Sequence, residues 1–183
     1  MSKKLFLLPM LLGALMMFAP SCGTTDKCEK KVCGNGTCLD GTCDCEAGYE
    51  YDADGNCNVK VQDKFVGTYT IHDECDSGTD DYNGSISLNT DLTKVGLNKV
   101  WNLFQNPTIA TITGTSLTIA KQKPDPIDPN HPEYAYWVEG KGTIATVGTK
   151  SVITLMITVT KETTATPSSI ISTDHCTTTW TKN

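Results

Sequence analysis

Six cysteines, Cys28, Cys33, Cys38, Cys43, Cys45 and Cys57, fall within thirty residues, and their crowding constrains the fold more than any other feature. A segment this short cannot bury enough apolar surface to offset its chain entropy. Disulfides take over that role by restricting the unfolded chain, at about 2–4 kcal/mol each. Gly34-Asn35-Gly36 and Gly41 supply turns between the cysteines. Spacing alone leaves fifteen pairings open. Structural zinc is the poorer reading of the same thiols, because the paired Cys-x2-Cys knuckles of such sites are missing.

The N-terminus indicates the redox compartment. Lys3 and Lys4 form a positive segment ahead of an apolar run, Leu5 to Phe18, which is too short to span a bilayer comfortably. Ala19-Pro20-Ser21 then leads into Cys22. This resembles the lipobox of bacterial lipoproteins, in the relaxed Ser-Cys form of Bacteroidota, with Ala19 where Leu is usual. The resemblance implies a signal peptide over residues 1–21 and an acylated Cys22 (palmitate is a typical chain) at the head of a tether, residues 22–27. The expected location is the outer membrane, at the cell surface or the periplasmic face, with membrane lipid as the partner of Cys22. Each buried acyl methylene contributes about 0.8 kcal/mol, so several chains anchor firmly. Ordinary signal cleavage is the alternative and leaves Cys22 as a spare thiol. The nine cysteines favour the lipid: setting Cys22 aside leaves eight, an even number, where disulfides persist.

Within the crowded six, Cys43-Asp44-Cys45-Glu46-Ala47-Gly48-Tyr49 is followed by Cys57. This resembles the epidermal-growth-factor-like module, whose signature is Cys-x-Cys-x2-Gly-aromatic and a final Cys. The resemblance covers residues 28–58 and implies Cys28–Cys38, Cys33–Cys43 and Cys45–Cys57 bridges. Calcium-binding versions add an acidic stretch before the first cysteine and a Cys-x-Asp segment ending near an aromatic. Asp26 and Asp40 match only in part, and Asp52 and Asp54 read as turn formers beside Gly55.

Composition changes near Lys60, where Cys and Gly give way to Thr-rich alternation. Phe65, Gly67, Tyr69 and Ile71 alternate with mostly polar neighbours, and Tyr82, Gly84, Ile86 and Leu88 do so more cleanly. Val95 to Leu103 continues the pattern, followed by Thr108–Thr113, Ser116–Ala120, Tyr134–Val147, Val152–Thr160 and Ile170–Thr181. Asn83-Gly84 is a turn signal inside one of these strands and weakens it. About eight short strands over residues 60–183 give a mostly β chain, with an antiparallel barrel expected before a β-sandwich. The Pro124–Pro132 segment holds four prolines and is excluded from a central strand. Such a loop is either a plain connector or the border of a binding face. Cys75 follows the first strand and Cys176 lies in the last, so a bridge between them would make those strands neighbours. Phe65-Val66-Gly67-Thr68-Tyr69 resembles the Gly-x-Trp opening of lipocalins, with Tyr69 in place of Trp. That resemblance implies a lipocalin-like barrel, though no Arg is present for the basic position on the last strand.

Function is less legible. The net charge is −6 and all fifteen cations are Lys. Without guanidinium forks, nucleic acid and phosphorylated substrates are excluded as expected partners. No nucleophile elbow, phosphate loop or dinucleotide fingerprint occurs. His72 and His175, with Asp73, Glu74 and Asp174, form a candidate metal set, but an exposed polar strand end is the favoured reading. Trp101, Trp137 and Trp180 are read as core before sugar platforms. The expectation is a non-catalytic binding or adhesion module without cofactor or metal, engaging a protein or glycan. The alternative is a lipocalin-like carrier of a small lipophilic ligand.

Overall fold

A computed structural model describes residues 27–183, so the expected signal peptide and the expected lipid attachment at Cys22 lie outside the described residues. The N-terminal region is two small antiparallel ribbons. Strand β1 (Gly36–Leu39) pairs with β2 (Thr42–Cys45), and β3 (Tyr49–Tyr51) with β4 (Cys57–Lys60). Disulfides join Cys28 to Cys38, Cys33 to Cys43 and Cys45 to Cys57, and Cys33, Cys43 and Cys57 form the buried centre. Asp52 does act as a turn former. Its Oδ1 accepts from the backbone N–H groups of Asn56 (2.8 Å) and Asp54 (3.0 Å), and its Oδ2 from the Asn58 amide (2.8 Å). These bonds, that of Asn56 first and then that of Asn58, hold its carboxyl below the usual range.

One helical turn, α1 (Gln62–Phe65), links this module to a ring of eight antiparallel strands. These are β5 (Gly67–Cys75), β6 (Gly78–Leu88), β7 (Lys94–Asn98), β8 (Thr108–Thr113), β9 (Ser116–Gln122), β10 (Tyr134–Val147), β11 (Lys150–Thr163) and β12 (Ile170–Lys182). Each pairs with its neighbour in sequence, and β12 returns to pair with β5, closing an up-and-down barrel. Closure leaves no open sheet edge. Inward positions follow the two-residue period: Tyr69 and Ile71 on β5, Ile153, Leu155, Ile157 and Val159 on β11, Trp180 on β12, all buried. The Tyr69 and Trp180 rings meet edge-on at 5.9 Å, and the Tyr69 hydroxyl donates to the Phe65 carbonyl. Burial pushes the Tyr69 phenol up to about 12, so it remains a neutral donor.

The strand expected around Tyr82–Leu88 holds despite its Asn83-Gly84 turn signal, since β6 runs straight through it. A Cβ at Gly84 would stand 2.5 Å from Ile71 Cδ1 and 2.8 Å from the Asn98 carbonyl, so this glycine serves a close approach inside the barrel. One expectation needs correction: the Val95–Leu103 run does not continue as a strand. It ends at Asn98, and Lys99, Trp101 and Asn102 take left-handed φ values of 69°, 54° and 47° around a 3₁₀ turn, Val100–Asn102.

The barrel is uneven. Strands β10, β11 and β12 have 14, 14 and 13 residues, whereas β7, β8 and β9 have 5, 6 and 7. At one end the low wall is sealed by α1 and its approach, with Val61 and Phe65 buried against the core. Gln62 is also buried there, and the two N–H groups of its amide serve three carbonyls, one N–H being shared: Asn89 (2.9 Å), Asp91 (3.0 Å) and Lys94 (2.7 Å). The disulfide-rich module abuts the same end, where a Cβ on Gly48 would lie 2.5 Å from Leu92 Cβ. At the opposite end the high wall stands above the low one.

Candidate functional site

That step in height makes the mouth. Two connections fold onto it: the segment after β7, Lys99 to Pro107, and the proline-rich loop after β9. The Asp125 carboxylate latches one to the other. Its Oδ2 accepts from the Gln105 N–H (2.8 Å) and its Oδ1 from the Asn106 N–H (2.7 Å) and side-chain amide (3.0 Å). Thr164, beyond β11, donates its hydroxyl to the Pro132 carbonyl (2.7 Å) and its N–H to the Glu133 carbonyl (3.0 Å), tying the far side of the loop. The loop expected as connector or border therefore forms one wall of a half-open cleft of about 670 Å³.

The cleft has apolar and aromatic walls from Leu103, Phe104, Ile127, Tyr134 and Tyr136, with Lys161 among them. Lys161 follows Val159 by two residues and is in phase with the inward row of β11. Its ammonium lies 3.8 Å from the centre of the Tyr134 ring and 5.7 Å from that of Tyr136. No carboxylate among the described residues forms an ion pair with it. A second hollow continues past Tyr136 and Lys161 to Trp101 and Asp174. Trp101 and Tyr136 rings stand 6.1 Å apart, and Leu103, Ile127, Ile170 and Ile171 leave an exposed apolar rim.

Trp101 is the unusual residue here. A bulky side chain at φ 54° is sterically disfavoured, and such backbone persists only where its surroundings over-determine it. Its indole N–H donates to Asp174 Oδ2 at 3.1 Å. Asp174 also accepts from the Ser77 N–H (3.0 Å) and hydroxyl (2.6 Å), fixing the β5–β6 hairpin against β12. One step deeper, Cys75 and Cys176 sit directly opposite on β5 and β12 and are joined by a disulfide, with Cα atoms 4.0 Å apart. Below the bridge lies Asp73, whose Oδ2 accepts from the Tyr82 hydroxyl at 2.8 Å. Burial raises the pKa of Asp73 against the opposing pull of the nearby Thr178 and Tyr82 hydroxyls. Burial together with the Asp73 charge raises that of Tyr82.

The strand period divides the candidate metal set. His72, Glu74 and His175 face outward, whereas Asp73 and Asp174 are buried inward-facing residues. His72 pairs with Asp81 (2.8 Å) and Glu74 (3.6 Å), which raises its pKa, Asp81 contributing most. His175 Nδ1 lies 3.2 Å from Thr158 Oγ1 instead. Among the described residues, the group that converges as metal ligands would is Cys75, Asp174 and Cys176, and both of its sulfurs are spent in the disulfide. Of the tryptophans, Trp180 is core, Trp137 lies half-buried 5.2 Å from the Lys121 ammonium, and Trp101 reaches the mouth. The sequence reading missed Lys161 and Tyr136, and it placed Asp73 and Asp174 in a metal set rather than at the mouth. Their signal was present as polar residues standing in phase with the inward rows.

No family model, curated protein or solved structure matches the chain.

Proposed function

We propose that this chain is an exported lipoprotein, anchored through acylated Cys22, whose barrel binds a protein or glycan partner at its mouth without catalysing a reaction. The disulfide-rich module, read as epidermal-growth-factor-like, serves as the stalk. One observation carries the reading: the open cleft lies at the end of the barrel opposite the module, where an anchored chain would present it outward. Inside, Tyr69, Trp180, Ile153 and Leu155 are fully buried and fill the space a lipophilic cargo would need. This supports binding at the mouth over storage within a lipocalin-like barrel. The acids around the cleft support binding over catalysis, since Asp125 and Asp174 are engaged by N–H and O–H donors.

Two measurements test the two halves of the proposal. Intact-mass analysis of the membrane-extracted protein is expected to give a chain beginning at Cys22 and carrying acyl groups. A chain beginning at Cys22 without added mass would remove the anchor. For the binding end, the mature protein is screened against glycan and peptide arrays, and any hit is measured with Tyr136→Ala and with Leu88→Ser. Tyr136→Ala is expected to weaken binding about tenfold or more, the scale of losing a packed aromatic contact, and Leu88→Ser to leave it unchanged. The reverse pattern would place the binding surface at the module end and defeat the reading.

A further inference from the structure

Beside the cleft lies a smaller recess of about 200 Å³ beneath the β5–β6 hairpin, walled by Asp73, Ser77, Thr79, Asp80 and Trp101. Asp73 is only 2% exposed and its Oδ1 has no hydrogen-bond partner, although Oδ2 is held by Tyr82. A buried polar atom left without its partner is costly, and a donor brought by a ligand would remove that cost. Asp80 adds a second carboxylate, exposed and holding the Asn102 side-chain amide at 2.9 Å. No lysine stands in this wall to neutralise either acid. Trp101 contributes the indole, whose ring face attracts cations.

Two carboxylates and an aromatic ring in a small polar recess suit a compact cation with several N–H donors. A divalent metal fits less well. It would need hard oxygen ligands converging on one point, and Asp73 and Asp80 belong to no such convergent group among the described residues. We propose that this recess binds an ammonium group, with Asp73 as its principal anion and the Trp101 indole as its apolar wall. The proposal rests on the mouth being the binding end, but it uses neither Tyr136 nor the larger cleft. Its failure would therefore leave the array result and the Tyr136→Ala comparison untouched.

The test titrates the disulfide-intact mature chain with n-butylammonium chloride and follows the Trp101 indole N–H by NMR, assigned with Trp101→Phe. A saturable shift is expected with n-butylammonium and none with n-butanol. Nα-acetyl-lysine amide forms a parallel arm: binding there points to a lysine of a partner protein, whereas binding of n-butylammonium alone points to a free amine. Asp73→Asn is expected to weaken binding about tenfold or more, and Asp80→Asn by less, because the buried charge is the less screened of the two. If Asp73→Asn does not fold, the comparison of n-butylammonium with n-butanol on the native chain still decides. No saturable shift, an equal response to n-butanol, or unchanged affinity in folded Asp73→Asn would overturn the assignment.

Discussion

Replacing Cys75 and Cys176 together with alanine is expected to lower the unfolding free energy by about 4–5 kcal/mol, the entropic value for so long a loop. The two residues are 101 apart in sequence and directly opposite in the β5–β12 register, so their bridge ties the first barrel strand to the last. That seam is also the one closed at greatest chain distance. Pairings of this kind carry the largest loop-closure cost and are reached late unless a crosslink holds them. The β5–β12 ladder continues from Cys176 to Lys182 without the bridge, so the variant is expected to fold to the same barrel with reduced stability. Guanidinium unfolding in oxidising buffer should show an earlier midpoint with the far-ultraviolet spectrum retained. Above the bridge, among the described residues, the hydrogen bonds to β12 are those of Asp76 with His175 and of Ser77 with Asp174, so the hairpin amides should exchange faster with solvent. An unchanged midpoint would show that the bridge adds nothing to the closure.

The strand set was readable because the barrel has one filled side and one wet side. On β11, Ile153, Leu155, Ile157 and Val159 repeat at period two, and β10 and β12 carry long runs bounded by Gly148 and by the loop with Pro167. Cysteine positions pointed to the β5–β12 seam for the same reason, since both residues fall in the inward phase. The mouth was harder to read. Lys161, Asp73 and Asp174 continue the inward rows of β11, β5 and β12, and polarity at such positions resembles the fraying of a strand until the wall opposite is known to be short. Trp101 was beyond pattern reading altogether. Its left-handed backbone is held by Asp174, 73 residues away, through the indole N–H. Gly84 weakened a strand that the structure keeps, because a residue type that marks turns was required here by the approach of Ile71 and Asn98.

Gln62→Leu is expected to destabilise the chain by about 2–4 kcal/mol while preserving side-chain volume, because the carbonyls of Asn89, Asp91 and Lys94 all lose the same donor. Leucine matches the apolar surroundings of Val61 and Phe65, so the loss isolates the polar cost from the packing. The consequence is larger than the stability change alone. Gln62 lies between the disulfide-rich module and the loop joining β6 to β7, and it is the buried polar contact from α1 to that loop. The other tie nearby, Lys64 with Glu50, joins α1 to the module through side chains about a third exposed. Lys64→Met is therefore expected to cost under about 1 kcal/mol. Trypsin provides the readout, since Lys60 and Lys64 flank Gln62 in sequence. Native chain should resist cleavage there, Lys64→Met should still resist at Lys60, and Gln62→Leu should be cut at both as α1 comes away from the barrel floor. If Gln62→Leu resists cleavage as well as the native chain and melts with it, the module is held by packing alone. If it is cut, the direction in which the mouth faces depends on one amide, and a stalk can present a binding cleft only while that amide keeps all three carbonyls.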